Sequence, residues 1–172
     1  MKIEVKGIKY FSSMSDETNC FQATLYVDGK KVATCENQGC GGNTNICSLP
    51  GQEDKLKEAE KYAKSLPAHK TQYGDISSDL ELIVDCAVDD YVNDLEEKKY
   101  QKYIEKTCLN HLVTSEGRTW SILNKMSFED VLKKYPAQYQ QLIQKFVDDV
   151  KTKLRPNEVI INKNLEKYGV KI

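Results

Sequence analysis

The residues best suited to chemistry are concentrated in CENQGCGGNTNIC, Cys35 to Cys47, which holds three cysteines and three glycines in thirteen residues. Thiolates are soft metal ligands. Cys35, Cys40 and Cys47 follow C-x4-C-x6-C, and Cys20 falls on the strand expected to pair with that of Cys35. Together Cys20, Cys35, Cys40 and Cys47 could make a tetrahedral zinc site. Only one of these spacings is usual for zinc, and His69 and His111 are remote in sequence. A zinc-stabilised interaction module is therefore an alternative, and the leading expectation has no cofactor.

The same stretch offers two other chemistries. Cys40, between Gly39 and Gly41, could be an exposed nucleophile whose thiolate is held by backbone N–H groups. That chemistry needs a base. Neither histidine sits in a recognisable cysteine-hydrolase pattern, and G-x-S-x-G, Walker A and HExxH are all missing. A thiol-dependent enzyme using Cys40 is thus an alternative, and an enzyme is not the leading expectation. The third reading is a nest. Gly39, Gly41 and Gly42 can reach positive φ and turn successive N–H groups inward, with Asn37, Asn43 and Thr44 adding neutral donors. Asn37, Gly39, Cys40, Gly41, Gly42, Asn43 and Thr44 are the candidate contacts to a small anion, set against a plain Gly/Asn turn.

A second unusual stretch is acidic. From Asp75 to Glu97 there are nine Asp and Glu and no Lys or Arg, with Glu81, Asp85 and Asp89 on one helical stripe; Lys98, Lys99, Lys102 and Lys106 then reverse the sign. Acids early and lysines late suit the helix dipole, which makes this an ordinary solvated face. The functional reading is a negative surface that docks on a basic partner.

These residues need elements to position them. At 172 residues, 40% hydrophobic and 30% charged, the chain is expected to fold as one domain with its own core. A β-hairpin region would occupy 1–50, and helices with a second hairpin 51–172. The opening MKIEVKGIKY has no apolar h-region and no later run is long enough to span a membrane, which predicts a cytoplasmic protein without membrane contact. Six cysteines there are read as thiols or metal ligands rather than disulfides. The net charge of −1 argues against direct nucleic-acid binding.

Ile3 and Val5 alternate with charged residues, and Ile8 and Tyr10 have the opposite parity, so a bulge is expected at Gly7. Phe21, Ala23, Leu25 and Val27 alternate with Gln22, Thr24 and Tyr26, and Asp28-Gly29 predicts a type I′ hairpin returning through Lys31 to Cys35. Helices are expected over Gln52–Leu66 and from Ser78 to about Lys106, the second with Leu80, Val84, Ala87, Val88, Tyr91 and Leu95 facing inward. TCLNHLV and TWSILN predict a second hairpin turning near Gly117. Ser127 with Asp130 resembles a capping box, and Pro136 interrupts the helix that follows. Tyr139, Leu142, Ile143, Phe146, Val147, Val150 and Leu154 form an apolar stripe, and EVIIN is read as a C-terminal strand. The order is that of an α+β fold with a largely antiparallel sheet: N-terminal hairpin, two central helices, second hairpin, long helix and C-terminal strand.

ETNCFQATLYVDGKKVATCENQGCGG resembles the opening of a family of small uncharacterised proteins of bacteria, prophages and phages, in which an E-T-x-C-F-x-A strand leads to a Y-V-D-G hairpin and an N-x-G-x-G-G loop. The matching residues are Glu17 to Ala23, Tyr26 to Gly29 and Asn37 to Gly42, and the likeness covers about the first 42 residues. In that family the loop often carries His at the place of Cys40 and Cys at that of Asn43. The resemblance implies no particular activity. It implies a phage or mobile-element setting, where small proteins counter host defence. The leading expectation is a non-enzymatic phage-type binding protein that sequesters a small anionic, nucleotide-like ligand or blocks a host protein.

Overall fold

The structure is a computed structural model that describes residues 1–71, 74–122 and 125–172. The fold is α+β with antiparallel sheets. Contacts divide the chain into two compact units, Met1–Glu96 and Glu97–Ile172, where a single domain is expected from length. Each unit has its own apolar core.

In the first unit β1 (Ile3–Tyr10), β2 (Cys20–Val27), β3 (Lys30–Gln38) and β4 (Asn45–Ser48) form an antiparallel sheet in that order. Gly7 has φ +65°, and the β1–β2 register shifts between Lys6 and Lys9, the bulge expected there. Asp28 and Gly29 take φ +49° and +80°, as a type I′ turn requires. Phe21, Ala23, Leu25 and Val27 are buried. β3 runs on to Gln38 and pairs with β4, which the sequence reading missed because Asn, Thr and Gly there signal a loop.

Helices α1 (Glu53–Lys64) and α2 (Leu80–Cys108) follow. Leu56, Ala59 and Ala63 of α1 and Leu80, Val84, Val88 and Val92 of α2 join the buried face of β2 and β3 in one core. Tyr91, expected inside, is exposed, and Val92 takes its place because the stripe advances by four residues at each step. Between the helices, β5 (His69–Thr71) and β6 (Gly74–Ile76) make a short ribbon that no alternating pattern announces.

The second unit holds the end of α2, then β7 (His111–Val113), β8 (Thr119–Ser121), α3 (Phe128–Lys134) and α4 (Tyr139–Lys151). The β7–β8 hairpin turns at Gly117, φ +76°; Leu123 and Asn124, expected to continue β8, lie outside the described residues. The capping box at Ser127 is present, with the Asp130 N–H donating to Ser127 Oγ and the Ser127 N–H to Asp130 Oδ2. Ile143, Val147 and Val150 of the expected stripe are buried.

The expected C-terminal strand is a correction. EVIIN forms no strand among the described residues but an isolated bridge, Thr114 to Ile160, flanked by the Ser115 N–H donating to Val159 O at 2.8 Å and the Ile161 N–H to Val113 O at 2.9 Å. Buried Asn162 explains why. Its Oδ1 accepts the Val113 N–H at 2.6 Å and its Nδ2 donates to His111 O at 2.7 Å, so beyond Ile161 a side chain takes the β7 bonds that a continuing strand would make.

Candidate functional site

The candidate loop lies inside the first unit, between β3 and β4, and Asn37 braces it. This buried side chain accepts from Thr18 Oγ1 and the Gly39 N–H, both at 2.9 Å, and donates to Gly42 O at 2.9 Å and Thr44 Oγ1 at 3.3 Å. Asn37 therefore organises the loop instead of facing outward. Gly39 and Gly41 have φ +84° and +80°. A Cβ at Gly39 would collide with Met14 O and stand 2.9 Å from Cys20 Cβ; one at Gly41 would collide with the Glu17 carboxylate. At Gly42 nothing lies within 4 Å, so the three glycines are not equivalent.

A converging set of N–H groups does exist, but on the facing loop. The N–H groups of Asp16, Glu17 and Thr18 all point at the carbonyl oxygen of Gly39, at 3.0, 3.0 and 3.3 Å. The donors of the candidate loop are engaged as well. The Gly39 N–H bonds Asn37, the Gly41 N–H reaches Thr18 Oγ1 at 3.3 Å, and the Thr44 N–H donates to Glu81 Oε1 at 2.8 Å. Cys40 and Asn43 are exposed at the loop's tip.

The acidic stripe of α2 is more than a solvated face. Glu81 takes the Thr44 N–H, Asp85 accepts from Thr44 Oγ1 at 2.6 Å, and Asp89 accepts from Asn19 Nδ2 at 2.7 Å. Each acid of the stripe thus ties a loop to the helix. Asn37, Gly42, the segment Ser15–Asn19 and α2 enclose a cleft of about 510 Å³. Its walls carry Asp16, Glu17, Asp85 and Asp89, its apolar part is Phe21 and Val88, and among the described residues no Lys, Arg or His lines it. Burial, then the charges of Glu81, Asp89 and Asp79, push the Asp85 carboxyl up, while the Thr44 hydrogen bond opposes them. Asp16, Glu17 and Asn19 were not among the candidate site residues, although Glu17 and Asn19 belong to the ETNCF segment and Asp16 precedes it.

The four candidate thiols separate. Cys20 and Cys35 are buried, Cys40 and Cys47 exposed. Cys47 pairs with Thr34 and Ile46 with Cys35, so the pleat puts Cys47 and Cys35 on opposite faces of the sheet. Among the described residues no group of three His, Cys, Asp or Glu is placed to hold a metal ion. The Cys40 thiol donates to Gln38 O at 3.7 Å, and no histidine lines the adjoining cleft among the described residues. Burial, with the Asp85 and Cys47 charges behind it, pushes the Cys35 thiol up to about 12. Iodoacetamide at pH 8 is expected to label Cys40 and Cys47 within minutes and to leave Cys20 and Cys35 unlabelled in folded protein, read by peptide mass spectrometry. Uniform protection of all four, released by a chelator, would support the zinc alternative.

No family model, curated protein or solved structure matches this chain.

Proposed function

We propose that this chain is a non-enzymatic binding protein that seats an Arg or Lys side chain of a partner protein in the cleft between Ser15–Asn19, Asn37–Thr44 and α2. The observation that carries the reading is a cleft walled by four carboxylates with no cation lining it among the described residues. Arg and Lys join an apolar stem to a cationic head, which suits Phe21 and Val88 beside the acids. Of the two occupants expected from sequence, a host protein fits this field better than a nucleotide-like anion, because the loop N–H groups of Gly39, Gly41 and Thr44 already have acceptors. The likeness of Glu17–Gly42 to phage and prophage proteins supplies the setting: a small protein that blocks a basic surface of a host protein.

Asp85 supports the reading through its energetics. A half-buried carboxylate among like charges opposes folding in its ionised form, a pattern typical of functional positions. The penalty is complete above its raised folded value and is relieved as pH falls through that value. Asp85→Asn keeps an acceptor for Thr44 and removes the charge, so its Tm at pH 7 is expected to equal or exceed that of the parent. The test is fluorescence anisotropy with a labelled arginine-containing decapeptide and a labelled guanosine nucleotide. The peptide is expected to bind at low salt and to weaken at least tenfold in Asp85→Asn/Asp89→Asn. Nucleotide binding with no peptide binding, or peptide binding indifferent to the double change, would overturn the proposal.

A further inference from the structure

The net charge of −1 averages two opposed units. Met1–Glu96 carries ten lysines and seventeen carboxylates, a formal −7; Glu97–Ile172 carries fifteen Lys and Arg and nine carboxylates, a formal +6. A basic unit of this size has the electrostatic footprint of a polyanion binder, which the whole-chain sum conceals.

Within the second unit the charge is organised on the last turns of α2. Ile104 and Cys108 are buried there and pack with Val113. At 3.6 residues per turn, Lys99, Lys102 and Lys106 point to the opposite side of the helix, with Tyr103 at the margin of the same stripe. All four are exposed, and Tyr103 keeps 58% of its surface in solvent. Among the described residues Lys99, Lys102 and Lys106 make no ion pair. The Tyr103 ring thus stands in water at the margin of three lysines that make no ion pair among the described residues.

We propose that this face binds single-stranded nucleic acid, with the three lysines on phosphates and the Tyr103 ring stacked on a base. Lys99 to Lys106 spans about 10 Å of helix, and their flexible stems let the three ammonium groups follow the phosphates of one strand. Stacking needs an exposed base face, which a single strand provides and a duplex withholds. A membrane surface is the poorer match, because an interfacial helix sets a broad Leu, Phe or Trp face against its lysines, and this stripe has none. The face shares no residue with the cleft of the first unit, so the two proposals fail independently.

The full chain is titrated against a labelled 20-residue oligothymidylate, the matching duplex, and vesicles of phosphatidylserine in phosphatidylcholine. Three contacts on a single strand predict a salt slope near −2, a loss of roughly 20-fold between 50 and 200 mM salt. Lys99→Glu/Lys102→Glu/Lys106→Glu is expected to abolish binding, and Tyr103→Ala to weaken it at least fivefold while Tyr103→Phe retains it. Should the triple variant lose its far-ultraviolet signal, Lys102→Gln and Tyr103→Ala carry the test alone. The inference is overturned if the single strand does not bind at 50 mM salt, if the duplex binds as tightly, if vesicles bind in its place, or if Tyr103→Ala binds like the parent.

Discussion

Gly39→Val is expected to unfold the rim of the cleft, while Gly42→Val, three residues away, leaves the protein unchanged. Gly39 sits at φ +84°, and its Cβ would collide with the Met14 carbonyl oxygen and crowd Cys20 Cβ at 2.9 Å. The strain of a β-branched residue in the left-handed region adds to an overlap with backbone that cannot rotate away. The two together are worth about 3 kcal/mol or more. The same backbone supplies the carbonyl that gathers the N–H groups of Asp16, Glu17 and Thr18, so the damage spreads to the facing loop. Gly42 has no positive φ and open space around it, and its substitution should change stability by less than about 0.5 kcal/mol. Thermal melts of the two variants decide the point. Equal losses, or a larger loss for Gly42→Val, would show that the loop is built differently. The sequence reading let Gly39, Gly41 and Gly42 alike reach positive φ; the structure places it at Gly39 and Gly41 only.

A second large effect is expected in the other unit, at Glu158. Its side chain is wholly enclosed and is gripped by the Arg118 guanidinium, Nε to Oε1 at 2.8 Å and Nη2 to Oε2, with the Arg155 N–H also donating at 2.9 Å. Arg118 bonds draw the Glu158 carboxyl down from 4.5 to about 2, against a smaller opposing push from burial and with the Arg155 N–H helping. A depressed folded value means that this contribution is complete above about pH 4.5 and is lost as pH falls toward 2. Glu158→Gln should lower the Tm of the Glu97–Ile172 unit at pH 7 by roughly 5–15 °C, because the guanidinium keeps its charge and loses its partner. The gap between variant and parent should close as the melts are repeated at pH 5, 4, 3 and 2. A gap that stays constant down to pH 2 would mean that Glu158 acts by shape alone. The pair also holds the β7–β8 hairpin to the segment that was expected to be a strand, through Glu158 itself, and Arg118 Nη2 reaches Lys153 O just after α4 at 3.2 Å.

Much of the fold was written in short-range signals. Asp28-Gly29 is a two-residue turn whose conformation its own residues select, and Phe21, Ala23, Leu25 and Val27 alternate at the period of a strand. Ser127 and Asp130 cap the helix they begin. In each case the interacting residues lie within a few positions of one another, so their types suffice. β4 escaped notice because Asn45–Ser48 has little strand character of its own and exists through pairing with β3. The C-terminal strand was anticipated and did not form, because Asn162 meets Val113 and His111 across about fifty residues, beyond the reach of any local pattern.

The chemistry divides along the same line. From sequence alone the Gly/Cys loop and the acidic stripe were two separate oddities, one a candidate site and the other a probable outer face. Tertiary structure joins them through Thr44, whose N–H and hydroxyl bond Glu81 and Asp85, and it brings Asp16 and Glu17 to the same wall. Composition fixed the total charge at −1, and no pattern in the residues says where a chain must be cut before charges are added. Only the partition into two cores assigns −7 to one unit and +6 to the other, because a field is a property of positions in space and a sum over a sequence discards them.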